Sequence, residues 1–525
     1  MSKKRSRTTN TIFNFTSSLG GQMIALLNHF IVRTVFIHTL GKSYLGIEGL
    51  FSNILTLFSL AEFGVGEAIL FKLYDPLAKN DIKRIQVLMK FYRSAYRMIG
   101  LLIAAIGLCF IPFLPMLIKD YDKLKALDLN AALIYSLYLL KTISSYLFFA
   151  YRSAIIKADQ KEYMVNVIGY GFSLGKTILQ VITLVLFKSF IVFVLIYIVE
   201  VIAYNIMAAR MSDRMYPYIK ENIPDSISKK ETKEILKDCG VLFLYKLNHV
   251  VVKATDNIVL SAFLGLDSVA LYANYLMLYT TIYSLFSRIF GSVAHSLGNL
   301  HAAGKREHEY RVFETVMLIT AILGGTAFAG VYVCSDELIL AWIGEEWMLP
   351  QPFALLMGIE LFTAAYRSIF NKYRSSMGLF RQAKLRPVLG MVVNLVVSVA
   401  LVNVWGICGV LVGTIAADWA VMIWYDPLLV HRVGFEGAFP FSRFLFKFMK
   451  NFLVVLAVAA FDRLLCLHFL AGCGFISFFV HAMICAVTVP GILIAINIKT
   501  PEGRYAYEMI KTYANKLKKK AKLKR

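Results

Sequence analysis

Apolar residues run along this chain in blocks too long for the core of a soluble domain. LLIAAIGLCFIPFLPMLI, 101–118, is one such block, and it is bounded by charged stretches on both sides. A helix needs roughly 20 predominantly apolar residues to cross about 30 Å of hydrocarbon. Blocks of that length predict fourteen membrane-spanning helices, near 11–36, 45–71, 98–118, 130–150, 162–187, 190–209, 239–263, 269–297, 312–334, 352–371, 387–403, 407–430, 451–466 and 474–497. Transmembrane strands would show strict alternation of apolar and polar residues, and these continuous runs do not. The expected fold class is therefore an all-α polytopic membrane protein. An even number of spans places both termini on one side.

Within the pattern, two segments nearly repeat. LNHFIVR, 27–33, lies in the first span, and LNHVVVK, 247–253, lies in the seventh. Six spans separate them, so both copies cross in the same direction. A Leu-Gly pair follows each, at Leu40-Gly41 and Leu264-Gly265. Parallel repeats related by an axis along the membrane normal are a transporter plan. The expected organisation is an N-terminal lobe over 1–209, a polar linker over 210–238, a C-terminal lobe over 239–430, two further spans over 431–498 and a basic tail over 499–525. A second echo, AYRS at 150–153 and 365–368, does not keep its position relative to a span end and is read as coincidence.

Composition agrees with this class: 58% of the 525 residues are hydrophobic and only 17% charged, against about half apolar in soluble domains. The net charge of +23 suggests nucleic acid at first sight. With the N-terminus cytoplasmic, however, most of the lysines and arginines fall in cytoplasmic segments, as the positive-inside rule requires. The tail KTYANKLKKKAKLKR contains no acid and points to anionic lipid rather than nucleic acid. The seven cysteines are scattered without a CxxC pair or a Cys/His cluster, so no metal site is expected. Cys466 and Cys473 flank one outer turn, a spacing that suits either a disulfide or small core residues. The N-terminus is basic and then apolar, but it is long and polar-studded, and is read as an uncleaved first helix.

Ionisable groups inside the spans are costly and mark cavities or partners. Lys246, His249, Lys253 and Asp256 fall at i, i+3, i+7 and i+10 of the seventh span, one face of a helix. Gln22, His29 and Arg33 share a face of the first span. Glu48, Ser52, Ser59 and Glu62 follow in the second; Lys141, Ser145 and Arg152 in the fourth; Asn166, Tyr170, Ser173, Lys176 and Gln180 in the fifth. The eighth carries Tyr272, Tyr275, Tyr279 and Tyr283, followed by Arg288. The tenth carries Glu360, Thr363, Arg367 and Asn371. Taken singly, each group is as well read as an interhelical hydrogen bond. Taken together, one hydrated cavity accommodates them all. Its cations suit an anion such as phosphate, and its tyrosines suit sugars. Enzyme signatures are absent: GKT at 175–177 would need glycine where Tyr170 stands to form a P-loop. The short outer loops, KDYDKLKALDLN and CSDELILAWIGEEWML, leave no domain for a polymerase or ligase. A drug/cation antiporter would favour an acidic cavity.

The stretches LGKSYLGIEGLFSNILTLFSLAEFGVGEAI (40–69), YDPLAKNDIKRIQVLM (74–89) and TDNIVLSAFLGLDSVALYANYLMLY (255–279) resemble the Wzx-type oligosaccharide flippases. These form part of the multidrug/oligosaccharidyl-lipid/polysaccharide exporter superfamily. The resemblance implies two six-helix lobes in a V shape plus two helices, without a cofactor. It implies flipping of undecaprenyl-pyrophosphate-linked oligosaccharide across the bacterial plasma membrane by alternating access, beside glycosyltransferases and a polysaccharide polymerase. It further implies that Arg33 meets the pyrophosphate and that the last two spans hold the lipid tail. One departure is that Leu57, Phe58 and Ser59 precede Leu60-Ala61-Glu62 where the related peptidoglycan-precursor flippase has arginines. The expected substrate contacts are accordingly Arg33, Lys253 and Arg367, with Lys141, Lys246, Arg288, Tyr275 and Tyr279. Asp256, Glu62 and His249 are the expected ion-coupling groups.

Overall fold

The computed structural model describes residues 7–62, 64–119, 121, 130–221, 227–228, 230–235, 254–302, 304, 306–377, 379, 382, 386–468 and 474–522. These residues are helices and connecting turns, with no strand among them. The N-terminal unit spans 1–270 and the C-terminal unit 271–525.

In the first unit, α1 (Arg7–Leu40) packs on α7 (Glu162–Phe187), and α7 on α8 (Phe190–Met215). In turn α8 meets α5 (Ala131–Leu147), which meets α4 (Ile82–Phe110). The expected second span is interrupted. Helix α2 (Lys42–Phe58) gives way to a 3₁₀ turn at Ser59–Glu62, and α3 (Val65–Lys79) starts after Gly64 at φ 74°. A left-handed glycine ends a helix without a Cβ penalty, so the apolar run continues while the helix does not. After α5 the chain bends by 41° into the turn that includes α6 (Ser153–Ala158).

The Leu-Gly pairs that follow the repeat have a shared backbone role. Gly41 separates α1 from α2 at φ 88°, and Gly265 separates α9 (Ala254–Leu264) from α10 (Leu266–Ala302) at φ 92°. Side chains are strained at both values. The segment holding Lys246, His249 and Lys253 lies outside the described residues.

In the second unit, α11 (Arg306–Ile343) is central. It packs on α12 (Gln351–Ser376), α15 (Phe441–His468), α16 (Phe475–Asn497) and α17 (Pro501–Lys522). Helix α13 (Arg386–Trp405) lies along α14 (Ile407–Gly434). Small residues allow this approach: a Cβ on Gly413 would stand 2.1 Å from Ser398 Oγ and 2.8 Å from its nitrogen. Helix α14 contains a π-turn over Asp418–Met422, a local widening often found where a side chain must be re-aimed.

Ten helices among the described residues are long and apolar enough to cross a membrane, or eleven with the bent pair at α5–α6 counted as one span. Three of the fourteen expected spans fall outside that count. The break at Ser59–Gly64 splits one span, most of the seventh lies outside the described residues, and the tyrosine stripe of α10 lowers its hydropathy. Outward faces remain apolar, as lipid contact requires: Leu101 and Leu186 are over 60% exposed.

Candidate functional site

A cavity of about 220 Å³ lies within the first unit. Helix α1 lines it with Asn28, His29, Arg33 and Phe36, α2 with Glu48, α7 with Ser173, Lys176, Thr177 and Gln180, and α8 with Phe193 and Tyr197. Helical spacing makes this a single site. His29 and Arg33 stand four apart on α1, and Ser173, Lys176 and Gln180 follow one face of α7. Asn28 donates to Ser173 Oγ at 3.3 Å, tying α1 to α7. Edge-to-face contacts of Phe36 with Phe190 and Phe193, at 5.8 and 5.0 Å, close one side.

The charges are held in an unusual way. Arg33 Nη1 is 3.8 Å from Glu48 Oε2, and Lys176 Nζ is 3.9 Å from Glu200 Oε2. Both separations are at the long end for an ion pair, beyond direct hydrogen bonding. Lys141, from α5, stands 4.1 Å from the ring centre of Tyr197, and Lys176 stands 4.5 Å from it. A π-face attracts an ammonium without cancelling its charge. Among the described residues, three cations thus stand near two carboxylates, one positive charge more than negative. An anion entering it would find donors that are already desolvated, where electrostatic interactions are strong.

The second unit handles its charges differently. Arg367 donates to Glu360 Oε1 at 3.0 Å, to Tyr279 Oη at 3.0 Å and to Asp418, which the π-turn of α14 brings into reach. Tyr279 in turn donates to Glu360 at 2.9 Å and stacks on Tyr283 at 6.0 Å. One guanidinium is therefore matched by two carboxylates. Nearer the loop end, Tyr275 donates to Asp336 at 3.1 Å and accepts from the Leu349 amide, while Arg463 meets the same aspartate at 3.3 Å. Asp426 binds Arg374 and Arg386 at 3.1 and 3.0 Å.

The sequence-predicted residues are thus distributed over several places. Arg33 lines the cavity, and Lys141 stands beside it on the ring of Tyr197. Arg367 and Tyr279 share a carboxylate network, Tyr275 belongs to another, and Arg288 is half-buried on α10. Of the ion-coupling candidates, Glu62 accepts from Tyr96 at 2.9 Å outside the cavity, and Asp256 is buried on α9. Lys246, Lys253 and His249 lie outside the described residues. Sequence reading did not place Tyr197 or Glu200 among the site residues. Their signal was present, since Tyr197, Glu200 and Tyr204 fall at i, i+3 and i+7 of α8.

No family model matches the chain, and no curated protein matches its sequence. Solved structures do. The lipid II flippase MurJ in an inward closed conformation superposes with a TM-score of 0.65 at 15% identity, over 93% of this chain and 99% of that one. A multidrug resistance MATE family transporter of the MOP superfamily superposes in its inward-facing form at 0.54 and 13% identity, over 79% of this chain and 96% of the other. An outward-facing form of such a transporter gives 0.53 at 13% identity, over 83% and 97%. At these identities the likeness establishes the fold: these neighbours are flippases and transporters, not enzymes.

Proposed function

We propose, from a fold shared with a lipid II flippase and with multidrug transporters, that this chain flips undecaprenyl-pyrophosphate-linked oligosaccharide across the bacterial plasma membrane by alternating access. Both termini are cytoplasmic in this reading, and the product feeds a surface polysaccharide. The observation that carries it is the cavity lined by Arg33 and Lys176, with Lys141 beside it on the Tyr197 ring, where among the described residues three cations stand near Glu48 and Glu200. A pyrophosphate diester brings negative charge and several acceptor oxygens, which suit guanidinium and ammonium donors. The same excess of cations disfavours the cationic drugs of a multidrug antiporter. A lipid II-type precursor carries the same pyrophosphate and remains the second reading, supported by the MurJ-like fold.

In this reading Arg33, Lys141 and Lys176 meet the pyrophosphate, with Lys246 and Lys253 as further contacts from the seventh expected span. Arg367, Tyr275 and Tyr279 keep the second unit in shape through their carboxylate partners, and Arg288 follows the sugar. The polyprenyl chain stays against α15 and α16. Glycosyltransferases and a polymerase act before and after the flip. The test is a fluorescent undecaprenyl-pyrophosphate saccharide in proteoliposomes containing the purified chain. Simultaneous alanine substitution of Arg33, Lys141 and Lys176 abolishes its movement if the reading is right; unchanged flipping at normal protein levels overturns it. Flipping of lipid II but not of other pyrophosphate-linked glycans selects the second reading.

A further inference from the structure

The seam where α15 and α16 meet α11 holds a polar cluster that neither the cavity nor the Arg367 network uses. Helix α16 contributes His481, Cys485 and Thr488 at i, i+4 and i+7. Helix α15 contributes Asp462 and Cys466, and α11 contributes Cys334 and Glu337. These spacings put each set on one helix face. His481 Nδ1 lies 2.8 Å from both carboxylate oxygens of Glu337. The thiols of Cys334 and Cys485 are hydrogen-bonded, and Cys485 also bonds Asp462.

Asp462 is fully buried, and its Oδ1 has no hydrogen-bond partner among the described residues. Arg463 beside it turns away, to Asp336 and to the Tyr332 carbonyl. An ionised carboxylate buried without a cation neutralises instead. The hydrogen count gives the same answer. Thr488 Oγ1 lies 2.6 Å from Asp462 Oδ2 and 2.9 Å from the Ile484 carbonyl. A threonine hydroxyl has one hydrogen to donate. Both contacts are complete hydrogen bonds only when Thr488 donates to Ile484 and a protonated Asp462 donates to Thr488.

We propose that Asp462 is a proton-binding site built into the three-helix seam, loaded from the α15–α16 hairpin end past Glu337 and His481. The Glu337 side chain is 27% exposed and His481 fully buried, so in this proposal the pair is the entry to the seam. The groups against Asp462 are Cys485 and Thr488 from α16 and Cys466 from its own helix; Cys334 of α11 meets Cys485, and the Glu337–His481 pair completes the cluster. Helices α12 and α14 meet α15 through Phe362 and His431, against Phe444 to Phe452, more than two turns from Asp462. On protonation one Asp462 oxygen gains an O–H bond and the seam becomes neutral there. On release the proton returns to water, Thr488 must choose one acceptor, and a buried anion is left between α15 and α11. The proton thereby ties pH to the packing of the last two membrane helices.

For coupling to transport the proposal rests on the flippase reading; for proton binding it rests on the seam alone. The full chain in phosphatidylglycerol-containing vesicles, without substrate, is examined by infrared difference spectroscopy between acidic and alkaline buffer. The expected result is a carbonyl band of a buried carboxylic acid that disappears in Asp462→Asn and moves to higher frequency in Thr488→Val. An identical spectrum in Asp462→Asn overturns the proposal. If that variant does not fold, an unmoved band in Thr488→Val overturns it. A failed flipping assay with the band intact strikes the functional reading alone, and a missing band with flipping intact strikes the proton site alone.

Discussion

Lys141 and Lys176 reach the same ring: from α5 and α7, their ammonium groups stand 4.1 and 4.5 Å from the centre of Tyr197. Each such contact is worth about 0.5–2 kcal/mol, and the ring leaves both charges available to an anion. Replacing Tyr197 by leucine releases both cations, and the expected loss of affinity for undecaprenyl pyrophosphate is about tenfold, the equivalent of about 1.4 kcal/mol. Tyr197→Phe keeps the π-face and is expected to bind within about twofold of the parent. Fluorescence titration in nanodiscs separates the two. Equal losses in both variants would assign the effect to the hydroxyl instead.

Arg33 and Glu48 predict a pair of opposite effects. At 3.8 Å the carboxylate partly offsets the guanidinium without a direct hydrogen bond. Glu48→Gln removes that offset and is expected to tighten pyrophosphate binding several-fold, on the order of 1 kcal/mol. Arg33→Ala weakens binding by tenfold or more, since a charged hydrogen bond contributes about 1.5–3 kcal/mol. Arg33→Lys keeps the charge but loses the fork geometry and falls between them. Weaker binding in Glu48→Gln would make Glu48 a ligand rather than a counter-charge.

The sequence made the helical class, the transporter-like fold and most of the polar stripes legible, because helical spacing alone puts Arg33 beside His29 and Lys176 beside Ser173. It put Arg367 among the expected substrate contacts. What decides its surroundings is Asp418, 51 residues away and brought inward by a π-turn that no periodicity announces. The break after Phe58 was hidden in the same way, since the hydropathy of 45–71 continues across Gly64 while the backbone does not. Asp462 went unnoticed because its meaning comes from a hydrogen count on Thr488, 26 residues further on.

The Arg367 network predicts a stability effect. Removing one member of a buried ion pair strands the other and costs about 3–5 kcal/mol. Arg367→Ala leaves Glu360 and Asp418, both nearly inaccessible, without their cation. The expected result is a large drop in thermal stability in detergent. The triple change Arg367→Met, Glu360→Gln, Asp418→Asn strands no charge and is expected to recover most of that drop. A stable Arg367→Ala protein with lost substrate binding would return this arginine to the ligand set.

Helix α17 is fastened to α11 and α15 at its first turn, and that fastening depends on pH. Glu502 binds Lys447 at 2.8 Å, and Lys447 also binds Glu314 at 2.8 Å. Burial alone would raise the Glu502 carboxyl. The hydrogen bonds from Lys447, its own backbone and Thr500 outweigh burial and hold it below the usual glutamate value of 4.5. A group lowered by folding adds stability that is present above its unfolded value and is lost as pH falls through its folded value. Docking of α17 is therefore expected to be constant near neutral pH and to weaken only below about 4.5. Glu502→Gln loses the charge at every pH, so its α17 is looser at neutrality and no longer responds to acid through this group. Spin-label mobility at Tyr507, which is 60% exposed on α17, reads both effects. Equal acid responses in the parent and in Glu502→Gln would move the pH dependence to another group.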